Sequence, residues 1–207
     1  AWDTSSVTDM NGMLSLNDVF NQDLDDWDTS NVVDMGFMFS LAGAFNGRIG
    51  AWNTSSVTMM RGMFADASVF NADIRSWDVS SVTGTDRMFF NARAFNQDIS
   101  AWDTSSVTDM NGMLSLNDVF NQDLDDWDTS NVVDMGFMFS LAGAFNGRIG
   151  AWNTSSVTMM RGMFADASVF NADIRSWDVS SVTGTDRMFF NARAFNQDIS
   201  AWDTSSV

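Results

Sequence analysis

The stretch Leu24-Asp25-Asp26-Trp27-Asp28 sets three carboxylates around one tryptophan, and the same five letters return at 124–128. Aspartate oxygens are hard ligands suited to calcium. Asp25, Asp26, Asp125 and Asp126 are therefore the candidate metal ligands, with calcium the candidate cofactor. No EF-hand or nonapeptide spacing surrounds them. The other two aspartates of the region have a plainer reading. Asp28 belongs to a column Asp3/Asp28/Asn53/Asp78 that suits a turn. Asp23 heads a column Asp23/Arg48/Asp73/Asp98, where Arg48 relieves repulsion between stacked carboxylates.

Little other chemistry is available. The chain has no Cys, His, Pro, Tyr, Lys or Glu. The usual zinc ligands, the histidine of most triads, and the lysine of Schiff bases and phosphate loops are all missing. Aspartate pairs remain as the acid–base route, and the expectation is a non-enzymatic protein. A net charge of −17 on 207 residues opposes binding to nucleic acid or anionic membrane surfaces. No apolar run reaches the ~20 residues of a membrane span. Asn53-Thr54-Ser55 and its copy at Asn153 form glycosylation sequons.

These residues sit in a strict repeat. Residues 101–200 duplicate 1–100 letter for letter, and each hundred divides into four units of 25, with AWDTSSV opening a ninth at 201–207. Constant columns are Trp2/Trp27/Trp52/Trp77, Met13/Met38/Met63/Met88, Phe20/Phe45/Phe70/Phe95 and Asn21/Asn46/Asn71/Asn96. One unit cannot build a core, but stacked units bury continuous ladders. The expectation is a single solenoid over 1–207 without caps, cut from a longer chain.

Val7, Met10, Met13, Leu14 and Asn17 follow helical spacing. Ser6 with Asp9, and Asn31 with Asp34, resemble capping boxes before it. Phe20-Asn21-Gln22-Asp23-Leu24 alternates like a strand. The spacing thus predicts a leucine-rich-repeat-like solenoid, with one short parallel strand and one short helix or 3-10 segment per unit. An all-β solenoid is the alternative. Strand pairing at ~4.8 Å would make eight units span about 40 Å. The tryptophans read as core, the asparagines as an internal hydrogen-bonded ladder, and the DTSSVT hydroxyls as helix caps.

The segments WDTSNVVDMGFMFSLAGAFN (27–46) and RMFFNARAFNQDISAWDTSSV (87–107) resemble the 25- to 26-residue surface-protein repeat of Mycoplasma and Listeria lipoproteins, grouped with BspA-like leucine-rich repeats. The resemblance covers the whole chain. It implies secreted or surface-displayed proteins with adhesive or structural roles and no catalytic residues. The hundred-residue duplication and the lack of Lys depart from it. The functional expectation is an extracellular structural repeat protein forming a surface fibre, stalk or filament by self-assembly. An adhesin that binds a host or cell-surface ligand is the alternative, and an ice- or mineral-binding hydroxyl face a minor one.

Overall fold

The computed structural model describes residues 2–207. Each unit forms one coil, and the coils stack in chain order. Coils 1 to 4 are 1–25, 26–50, 51–75 and 76–100; coils 5 to 8 are their copies, ending at 200. Alternate amides of one coil donate to the next. Met10, Gly12, Leu14 and Leu16 bond the carbonyls of Asp34, Gly36, Met38 and Ser40 at 2.8–2.9 Å. At the ninth position of each coil a parallel bridge passes from Asp9 through Asp34, Met59 and Gly84 to the second hundred, ending at Gly184.

The expected helix over 7–17 does not form, and neither does the strand over 20–24; among the described residues there is no helix and no extended strand. The all-β alternative fails too, because regular pairing between coils is one bridge wide. Two left-handed residues per coil explain this. Gly12, Phe37, Gly62 and Arg87 have φ of 53–63°, and so do Leu16, Leu41, Asp66 and Asn91 four positions later, at 55–61°. A helix cannot pass through such residues. Instead the chain makes overlapping tight turns, with Met13 N–H on the Met10 carbonyl at 3.2 Å and Ser15 N–H on Gly12 at 3.0 Å. The left-handed residue between them swings every second amide out of the turn, toward the next coil. Each non-glycine residue held there costs about 1–2 kcal/mol, which the bonds between coils offset. At Gly62 a side chain would meet two obstacles: φ is +55°, and a Cβ would press into the Phe37 ring.

The capping boxes dissolve with the helix. Asp9 accepts the Asn11 amide at 2.8 Å and Asp34 the Gly36 amide at 2.7 Å. Ser5 closes a turn on Asp3, with its amide at 3.1 Å and its hydroxyl at 2.6 Å from the carboxylate. Ser56, Ser81 and Ser106 instead donate to carbonyls of the preceding coil at 2.6–3.1 Å.

The core is made of the ladders. Phe39, Phe45, Phe64 and Phe70 are fully buried, and Trp52 and Trp77 nearly so. Within a coil Phe39 lies 3.9 Å from Phe45; between coils Phe45 lies 6.1 Å from Phe70, and Trp52 lies 6.0 Å from Trp77. Each interior indole also ties two coils together. Trp52 Nε1 donates to the Leu24 carbonyl at 2.8 Å, and Trp77 to Ile49 at 3.0 Å. The aromatic step of 6.0–6.1 Å exceeds the ~4.8 Å of a sheet.

Candidate functional site

The seam between units is where the opening aspartates lie. Coil 2 passes into coil 3 through Gly50-Ala51, which carries a single methyl as side chain, flanked by Asp25 and Arg48 before it and Asp73 after it. The missing side chains leave an open notch of about 300 Å³, and its copy at Gly150-Ala151, lined also by Arg175, measures about 590 Å³. Asp25 accepts the Ala51 amide at 3.2 Å, and Arg48 reaches across at 3.5 Å. Arg48 binds Asp23 more closely, with its amide at 2.9 Å and its guanidinium at 3.0 Å. Asp73 is gripped within its own coil by Arg75 at 2.7–2.9 Å. That grip holds Asp73 and Asp173 down to a pKa of about 2. Within the charge column Asp23 therefore pairs with Arg48, whereas Asp73 is held by Arg75 from outside the column and Asp98 accepts from Ser100.

Asp25 and Asp125 are thus turned to a backbone amide and a guanidinium, while Asp26 and Asp126 are exposed. Among the described residues no group of three or more His, Cys, Asp or Glu gathers closely enough to hold a metal ion. The notch offers small floor residues and paired charges of both signs.

The asparagine ladder forms, but along the surface. Asn46, Asn71 and Asn96 each donate a backbone amide to the side chain of the asparagine one coil before, at 2.7–3.0 Å. Asn53 and Asn153 are exposed, and each folds its amide oxygen onto the following serine at 2.8 Å. The methionine columns are core: Met38, Met63 and Met88 are fully buried. No helix among the described residues is long and apolar enough to cross a membrane.

One charged pair escaped the sequence reading. Arg61 binds Asp86 at 2.9 Å and lies 5.6 Å from the Phe37 ring centroid. The signal was present, because residues 25 apart are stacked neighbours and Arg61 and Asp86 are 25 apart. Asp109 of coil 5 and Arg87 act on Asp86 as well. Burial is the largest influence and pushes the Asp86 carboxyl above its usual value, against the pull of Arg61. A raised folded-state pKa means that ionisation opposes folding. The penalty is absent below pH ~3.8 and complete once pH passes the folded value. Asp86→Asn is expected to raise the melting temperature at pH 7 by about 1–2 °C and to leave it unchanged near pH 3. Thermal melts at the two pH values check this.

The two ends of the stack expose apolar faces. Trp2, Leu14, Phe20, Leu24 and Trp27 line a hollow of about 240 Å³ on coil 1. Met188, Phe189, Phe190, Ile199 and Trp202 line one of about 440 Å³ on coil 8.

A family model described as "Mycoplasma protein of unknown function, DUF285" matches residues 1–92, 20–127, 72–150 and 117–207, so the matches together span the chain. No curated protein matches the chain. No solved structure matches it either.

Proposed function

The chain belongs to the DUF285 family of Mycoplasma proteins of unknown function, and from that premise we propose a non-enzymatic structural role, as an extracellular fibre, stalk or filament. One observation carries the reading. The junction between the two hundred-residue blocks is built like the junctions inside each block, with Phe95 stacked on Phe120 at 6.0 Å and Trp127 Nε1 on the Ile99 carbonyl at 2.9 Å. Such a stack has no built-in stop, and repeats that contact only their neighbours extend in one dimension. The surface location rests on the resemblance to the lipoprotein repeats and the BspA-like group. An adhesive role is the second reading, favoured by the notch that recurs every hundred residues.

Block insertion tests the structural reading. Coils bonded backbone to backbone stand about 4.8 Å apart, and their stacked rings 6.0–6.1 Å, so each inserted copy of 1–100, four coils, should lengthen the particle by about 19–24 Å in X-ray scattering. A particle that instead thickens evenly would refute it. Immunogold labelling of intact source cells checks the location, with label expected outside the cell.

A further inference from the structure

We infer that the side of the stack formed by positions 11–19 of each coil is an interface, and that its partner is a second copy of this chain lying alongside. The contact rests on the structural role proposed above and gives it a lateral partner. Charge is divided unevenly around the coil. In coils 1 to 4, positions 11–19 hold three aspartates, Asp18, Asp66 and Asp86, and three arginines, Arg61, Arg87 and Arg93. The remaining positions of those coils hold ten aspartates and two arginines. Two copies meeting there would set like charge against like charge. On the arc of positions 11–19 the net charge is zero.

Apolar exposure gathers on the same arc. Leu41, Leu141, Val69, Val119 and Val169, at positions 16 and 19, are 42–44% exposed. In coils 2 to 7 the other exposed large apolar residues are Val33 and Val133. Phe90 at position 15 and Leu116 at position 16 are half-buried on this arc. Backbone bonds hold its coils in line: the Leu41 amide donates to the Ala65 carbonyl at 2.7 Å, and the Asn91 amide to the Ser115 carbonyl at 2.8 Å. The apolar side chains therefore follow one another along the side of the stack. Monomeric proteins rarely leave a large continuous patch of this kind in water.

Part of the charge on the arc has no opposite partner within the chain. Arg61 holds Asp86 at 2.9 Å, and Asp66 accepts the Asn91 side-chain amide at 2.6 Å. Arg93 donates from Nε to the Asn91 side-chain oxygen at 2.9 Å. Among the described residues Arg87, Arg93 and Asp118 join no ion pair, whereas Arg48, Arg61 and Arg75 each hold an aspartate. Arginine and aromatic side chains are enriched at protein interfaces. A partner for this face must offer apolar side chains and both signs of charge at a hundred-residue period. A second copy offers all three on the same arc, and a two-fold contact uses one patch twice.

Sedimentation equilibrium on the 207-residue chain tests the contact. The expected result is a monomer–dimer equilibrium, tighter at high salt, which screens the repulsion between the acidic flanks. Leu41→Asp with Leu141→Asp in one chain should weaken it about ten-fold or more, by removing apolar area and burying unpaired charge. The melting temperature should barely change, because Asp66 already stands at position 16 with φ of 61°, against 60° and 59° for the two leucines. Asn53→Asp with Asn153→Asp is the control. It adds the same charge at position 3, where Asp28 and Asp78 already stand, and should leave association within about two-fold of wild type. Monomer at every concentration and salt level overturns the contact. So does association that survives the leucine substitutions, or that falls equally in both variants. Block-by-block lengthening in scattering reads the structural role separately, because it follows the length of a stack and not its pairing.

Discussion

Phe139→Ala is expected to destabilise the chain by about 4 kcal/mol, seen as a fall in the midpoint of urea unfolding. Phe139 is fully buried in coil 6. Its ring lies 3.8 Å from Phe145 in its own coil, and 5.7 and 6.2 Å from Phe164 and Trp152 in coil 7. Truncation removes the transfer free energy of a buried aromatic and leaves a cavity that rings fixed by stacking cannot close. It also breaks three aromatic contacts, each worth about 0.5–1.5 kcal/mol beyond area. The effect should be regional, because each coil is held only by its neighbours. Amide exchange should quicken at Met135, Phe137 and Phe139, whose N–H groups bond coil 7 at 2.8–2.9 Å. Two controls come from the repeat itself. Phe139→Leu should cost about 1 kcal/mol, because Leu114 fills that column in coil 5. Phe190→Ala, at a residue 59% exposed, should stay within about 0.5 kcal/mol.

The ladders on which this rests were legible, and the path of the chain between them was not. A column such as Phe20/Phe45/Phe70/Phe95 states its own contacts, since residues one repeat apart must be neighbours in any stack. The helix and the chain of tight turns share one pattern, because Val7, Met10, Met13, Leu14 and Asn17, and their largely apolar counterparts in other coils, satisfy both equally well. What separates the two is the left-handed residue at the twelfth and sixteenth positions. Gly12, Gly62, Asp66 and Asn91 are types that tolerate that conformation. Phe37, Arg87, Leu16 and Leu41 give no hint of it, yet hold φ of 53–60°. The bonds between coils impose the conformation on them, and those bonds span 24 residues. At the seam, the pairing of Asp23 with Arg48 followed from the column, whereas the capture of Asp73 by Arg75 depends on a local turn that the column does not encode.

The absence of proline from the chain has a physical reason in this architecture, and Val133→Pro isolates it. The Val133 side chain is 45% exposed, so little packing is at stake. Its backbone works on both sides. The N–H donates to the Thr108 carbonyl of coil 5 at 2.9 Å, and the carbonyl accepts the Thr158 amide of coil 7 at 2.9 Å. Proline deletes the donor, leaves the Thr108 carbonyl without that amide, and disfavours a turn conformation at the preceding Val132, which is fully buried. The expected cost is about 3 kcal/mol or more, measured by urea unfolding. Val133→Thr is the matched control. Threonine occupies this column in three coils of every four, and Thr158 and Thr183 aim their hydroxyls at the preceding coil's carbonyl at 3.3–3.4 Å. Threonine should therefore stay within about 0.5 kcal/mol of wild type. A large gap between the two variants places the stabilisation in the amide ladder between coils, because both alter the same exposed side chain and only proline removes the bond. Equal stabilities would leave the aromatic columns alone holding coil to coil.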